Sequence, residues 1–174
     1  MATVIIRPDG IESDTGFDQT GTNLVERIND NDDTTGVTQT NVTANFTVTM
    51  ANDSAYAGGT INSIQLSISA GSSGRGTPTI TGKILDGTNS DDDLQSDSLV
   101  FSSPGTTTLT GTAYSTSLTP TIVDGLKVII SPDSTGCAIS EVFITVDYTA
   151  AVVTTPFVGL KSGKYKIVSG KIKI

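Results

Sequence analysis

The chain contains no histidine, no tryptophan and one cysteine, Cys137, among its 174 residues. Without histidine, Ser-His-Asp and Cys-His nucleophilic sites, imidazole general bases and histidine-bearing zinc sites each lack a necessary part. A lone cysteine forms no internal disulfide. Cys137 lies at the entrance to an apolar strand, in Thr135-Gly136-Cys137-Ala138-Ile139, where it reads as a small buried hydrophobe. Aromatic residues are 5% of the chain, so few rings remain for stacking once a core is filled. No apolar run approaches the roughly 20 residues of a membrane helix. The opening, Met1-Ala2-Thr3-Val4-Ile5-Ile6-Arg7-Pro8, has no basic region ahead of its short apolar run. It does not read as a signal peptide, and the expectation is a chain made in the cytoplasm.

What is present in excess is threonine and serine, 29 and 19 residues, a composition that disfavours long helices. A single domain of this length buries enough apolar surface to fold without disulfides or metals. Charge is scarce, at 16% of residues, and unevenly placed. Every carboxylate lies at or before Asp147, whereas Lys161, Lys164, Lys166, Lys171 and Lys173 follow it. Residues 1–151 therefore carry −13 and residues 152–174 carry +5. So acidic a body repels phosphate, which argues against nucleic acid as a partner, while the basic end suits a partner of its own.

Period-two alternation recurs through the body. Thr60 to Ala70 is the clearest stretch: Ile64, Leu66, Ile68 and Ala70 share one face, and Gln65, Ser67 and Ser69 the other. Asn45 to Met50, Pro78 to Asp86, Gly125 to Ser131 and Ile139 to Tyr148 alternate in the same way, Thr3 to Arg7 and Thr106 to Thr112 read as further strands, and Leu118 to Thr121 as a short one. Pro8-Asp9-Gly10 reads as a turn and Asp86 to Asp97 as a long polar loop. Asn23 to Ile28 is the one helical turn, with Thr22 or Asn23 as its cap. About eight short strands with no interleaved helices predict an all-β chain, an antiparallel sandwich of jelly-roll type.

The composition changes near residue 151. Beyond Thr155-Pro156 a short unit occurs twice, Ser162-Gly163-Lys164-Tyr165-Lys166-Ile167-Val168 and Ser169-Gly170-Lys171-Ile172-Lys173-Ile174. The expected organisation is a sandwich over 1–151 and a basic C-terminal β-arm over 152–174. Lys161, Lys164, Tyr165, Lys166, Ile167, Lys171, Ile172, Lys173 and Ile174 are its interaction residues. Two such strands are marginal alone, and adding to a sheet edge is the mode that suits their alternation.

Candidate chemistry elsewhere is thin. Asp30, Asp32 and Asp33 offer hard oxygen ligands to calcium, but the glycine and closing glutamate of a calcium loop are missing, and a solvated acidic turn is the plainer reading. Asp91-Asp92-Asp93 reads as such a turn, and no other cofactor is implied. Hydrolysis of glycosides needs two acids across a sugar-binding cleft, and with Phe46 and Phe143 at core-facing strand positions few rings remain to stack a sugar there. Noncatalytic sugar binding would draw on Tyr56 and Tyr114 as loop aromatics, whose plainer role is to cover an edge of the core.

Arg7-Pro8-Asp9-Gly10, Leu24 to Asp30, Asp33-Thr34-Thr35, the Ile61 to Ser69 strand, Ile84-Leu85-Asp86 and the closing Ile139 to Tyr148 strand together carry a resemblance. Over residues 3–149 the chain resembles jelly-roll modules in structural proteins of tailed bacteriophages, marine ones especially, with Phe17 where such a module would carry tryptophan. The resemblance implies a virion protein without enzymatic activity: a capsid decoration or cement protein, or a fibre or tail component with a glycan-binding role. Its implied partners are the major capsid protein or another virion protein in a multi-copy assembly or homo-oligomer, with no membrane involved. The composition also suits a self-assembling surface or filament protein.

Overall fold

The computed structural model describes residues 1–15, 17, 24–29, 37–38, 45–72, 77–101, 105–134, 137–152, 166–168 and 171–173. Two antiparallel sheets face each other. The first contains β1 (Ala2–Ile6), β3 (Val37–Thr38), β5 (Thr60–Ser72), β8 (Thr107–Thr110) and β10 (Cys137–Thr149), in the order β1-β10-β5-β8, with β3 also pairing β10. The second runs β2-β4-β9-β6-β7, from β2 (Pro8–Thr15) through β4 (Asn45–Met50), β9 (Leu126–Pro132) and β6 (Thr79–Asp86) to β7 (Asp92–Val100). The all-β sandwich is as the alternation predicts, with ten body strands among the described residues where about eight are expected.

The core forms where the alternating apolar faces of β5 and β10 meet those of β4, β6 and β9. Ile64, Leu66 and Ile68 are fully buried, as are Val142, Ile144 and Val146 on the neighbouring strand and Phe46, Val48, Ile80, Ile84, Val128 and Ile130 across the interface. Each such side chain contributes roughly 1.5–3 kcal/mol relative to exposure. Gly82 lies on the buried face of β6, where a Cβ would stand 2.5 Å from Leu66 Cδ2. Leu66 fills the space that Gly82 leaves. A register shift between Ile139 and Glu141 keeps Cys137 and Ile139 inward on the same strand as Val142, and the Ser140 hydroxyl donates to the Ser69 carbonyl, 3.2 Å away, beside it.

The helix α1 (Leu24–Asn29) buries Leu24, Val25 and Ile28 and packs against β10 and β2. The residues proposed to cap it lie outside the described ones.

Four readings of the sequence need correction. Pro8-Asp9-Gly10 does not end a strand; it begins β2, which crosses to the second sheet with a register shift between Pro8 and Gly10. Proline is tolerated there because it opens an edge strand. The loop expected over Asp86 to Asp97 shrinks to a turn, since β7 starts at Asp92. This strand shows no clean alternation because it closes the sheet's edge and buries only Leu99. The strand expected at Leu118 to Thr121 is instead the short helix α2 (Pro120–Asp124), with the Thr119 hydroxyl accepting from the Ile122 amide at 3.2 Å and Pro120 in the first position. Tyr56, taken as a loop aromatic, is 1% exposed.

Candidate functional site

Strand register brings the chain's widely separated turns to one end of the second sheet. Pro8 pairs with Met50, Thr49 with Lys127, and Asp86 with both Leu126 and Asp92. At that end a cleft of about 360 Å³ is lined by Asp9, Thr49, Asn52, Gly87, Asp124 and Lys127, among others. It is within the size range of small-molecule sites.

Local devices hold most of the polar groups in the cleft. Asp53 caps the 3-10 turn Ser54–Tyr56 by accepting from the Ala55 amide at 2.8 Å, which fixes the loop that carries Asn52. The Tyr56 hydroxyl accepts from the Asp53 amide at 3.1 Å and donates to Asp124 Oδ1 at 2.8 Å, tying that turn to the end of α2. Its ring meets Tyr148 edge to face at 6.3 Å between centroids. Burial, with the neighbouring Asp124 carboxylate adding to it, pushes the phenol up to about 12, so it remains a donor at neutral pH. The Thr49 hydroxyl donates to Asp9 Oδ1 at 2.8 Å. The Gly87 amide donates to the Gly125 carbonyl at 3.1 Å, and a Cβ on Gly87 would stand 2.5 Å from that oxygen. Lys127 pairs with Glu12 at 2.6 Å and Asp91 at 2.9 Å, bonds that raise its pKa.

The result is two carboxylates, Asp9 and Asp124, each anchored through one oxygen by a hydroxyl. The second oxygen of each has no protein partner among the described residues. Carboxylate oxygens accept only, and amides such as Asn52 both donate and accept. The cleft can therefore orient a neutral ligand rich in hydroxyls. Among the described residues no group of three or more Asp, Glu or Cys side chains could hold a metal ion.

The outward face of the first sheet is a second polar region. Ser67 and Ser69 of β5 pair their hydroxyls with Thr110 at 2.9 Å and Thr108 at 2.6 Å. On the same face Arg7 forms an ion pair with Glu141 and lies 5.3 Å from the centroid of the Phe143 ring. These groups satisfy one another, so the face is internally paired.

The residues singled out from sequence fall elsewhere. Asp30, Asp32 and Asp33 lie outside the described residues, as do Lys161, Lys164, Tyr165 and Ile174. Lys166 and Ile167 stand on β11 (Lys166–Val168), and Lys171, Ile172 and Lys173 on β12 (Lys171–Lys173), a two-stranded antiparallel sheet with Lys166 opposite Lys173 and Ile167 opposite Ile172. Tyr114 is half-buried and its backbone bridges Ile64, so it covers a core edge. Tyr56 supports the cleft from behind, as a buried hydrogen-bonding strut. The cleft itself was not predicted. The one legible signal was Thr119-Pro120, which marks the start of the helix that places Asp124.

No family model matches the chain, and no curated protein matches its sequence. Two solved structures are similar in shape. One is the C-terminal CBM6 of LamC, a marine laminarinase from Zobellia galactanivorans, with a TM-score of 0.48 and 13% identity over 83% of this chain and 98% of that one. The other is a carbohydrate binding module from Cellvibrio mixtus lichenase 5A in complex with cellotriose, with a TM-score of 0.45 and 11% identity over 84% of this chain and 97% of that one.

Proposed function

We propose that the sandwich is a noncatalytic glycan-binding module and that the end cleft is its site. The observation that carries this reading is the pair of hydroxyl-anchored carboxylates, Asp9 and Asp124, each presenting a second oxygen beside the Asn52 amide. Adjacent sugar hydroxyls donate to such oxygens, and the amide serves both their donors and their acceptors. An anionic ligand is disfavoured by the acidic lining. Because Tyr56 is buried and Tyr114 covers a core edge, binding rests on hydrogen bonds rather than on ring stacking. The expected dissociation constant is on the order of 0.1–1 mM.

Calorimetry with a panel of soluble glycans, beginning with cellotriose, tests the reading. Asn52→Ala and Asp124→Asn should each weaken binding about tenfold, the loss of roughly one hydrogen bond to a charged or buried group. Asp124→Asn retains the acceptor for the Tyr56 hydroxyl, so the fold is preserved. Absence of heat with every glycan at millimolar concentration, or affinity untouched by both substitutions, refutes the site.

A second reading is a virion module docked through its basic arm, in which β11 and β12 pair with each other and, among the described residues, with neither body sheet. Co-sedimentation with purified capsids, compared between the full chain and a form ending at Ala151, tests it. Loss of binding on truncation supports it, and equal binding opposes it.

A further inference from the structure

Among the described residues strand β7 ends its sheet, bonded to β6 on one side only. Its nine residues, Asp92-Asp93-Leu94-Gln95-Ser96-Asp97-Ser98-Leu99-Val100, include no lysine, arginine or proline of the kind that blunt exposed edges. Instead they carry three aspartates, and Val100 is 59% exposed at the far end. Asp97 is engaged, accepting from the Gln95 side chain at 3.2 Å and the Thr112 amide at 3.0 Å. Asp92 and Asp93 are exposed, with Asn89 on the first and Lys83 on the second. The edge is thus a hydrogen-bonding template marked negative at its start.

The C-terminal hairpin is its complement. β11 and β12 are three residues each, fewer strands and shorter ones than an independently stable sheet requires. The segment from Lys161 to Lys173 holds five lysines and no carboxylate. We propose that the β11–β12 hairpin of one chain docks along the β7 edge of a second copy, extending its five-stranded sheet, with the lysines meeting Asp92 and Asp93. Residues 153–165 span at most roughly 45 Å. Among the described residues the hairpin of the single chain pairs only with itself. Bodies of charge −13 repel one another, so the basic hairpin is what joins them. The proposal is independent of the glycan-binding reading.

Light scattering on the full chain should show association at low salt that loosens about tenfold or more at roughly 0.5 M salt, where surface charges are screened. A tail-reversed chain (Lys164→Glu, Lys166→Glu, Lys171→Glu, Lys173→Glu) and an edge-reversed chain (Asp92→Lys, Asp93→Lys) should each be monomeric alone. Mixed, they should form a heterotypic complex, because the basic tail of one then meets the acidic edge of the other. A monomeric parent chain at every concentration and salt overturns the proposal, as does self-association that survives edge reversal or a mixture that stays apart. Carbodiimide cross-linking of unaltered 14N-labelled and 15N-labelled chains gives an answer independent of variant folding. Mixed-isotope links from Lys166, Lys171 or Lys173 to Asp92 or Asp93 support it, and same-chain links alone, or none, overturn it.

Discussion

Strands β4 and β9 run side by side from the space between the sheets, where Phe46 opposes Ile130 and Val48 opposes Val128, to the end cleft, where Thr49 opposes Lys127. Within the interior each side chain is specified by its face, and any apolar residue of similar volume serves. At the cleft three groups are specified by a partner: Thr49 by Asp9, Asp124 by Tyr56, and Lys127 by Glu12 and Asp91. The same two strands thus hold a region that tolerates substitution of type but not of volume, and one that tolerates the reverse.

That contrast breaks most visibly in the interior. Phe46→Ala removes a fully buried ring packed edge to face on Phe17 at 4.9 Å, and should cost about 3–5 kcal/mol in denaturant unfolding. Gly82→Val drives a side chain against Leu66 and should cost about 1–3 kcal/mol, with Leu66→Ala in the same chain recovering part of it. Tyr56→Phe keeps the ring and deletes only the hydroxyl between Asp53 and Asp124, so unfolding should register about 1 kcal/mol while affinity for a glycan that the panel shows to bind falls several-fold. A stability loss as large as that of Phe46→Ala, or unchanged affinity, would erase the distinction between the regions.

A further effect is in alkali. Burial raises the Cys137 thiol from 9.0 to about 11 and the Tyr56 phenol from 10.0 to about 12. Both folded values exceed the unfolded ones, so the unfolded chain loses these protons first. The stability they contribute is complete below about pH 9 and is lost as pH rises towards 11 and then 12. Thermal unfolding between pH 8 and 11 should show this decline, and Cys137→Ala should flatten its lower part.

The interior was legible because burial of one face writes a period of two into the sequence, as at Ile64, Leu66 and Ile68. Strand β7 escaped because an edge strand with one buried residue writes no period. Pro8 misled because a proline that opens an edge strand looks locally like one that stops a strand. The cleft was hidden for a different reason. Asp9 lies at the start of β2, Asn52 and Gly87 lie on two separate connections and Asp124 ends α2, and only the pairing of β2 with β4 and of β9 with β4 and β6 brings them together. Tyr56 was seen as an aromatic in a loop, but its burial depends on Tyr148 and Asp124, which the local sequence does not reveal.

The most direct test of the proposal that the cleft binds glycans is backbone amide shift mapping by NMR during titration with each glycan of the panel. The account predicts that, for a glycan that binds, the shifts concentrate at Asn52, Asp53, Gly87, Gly125 and Lys127. Shifts gathered instead at Ser67, Ser69 and Phe143 on the outer sheet face, or no shifts with any glycan at millimolar concentration, would contradict it.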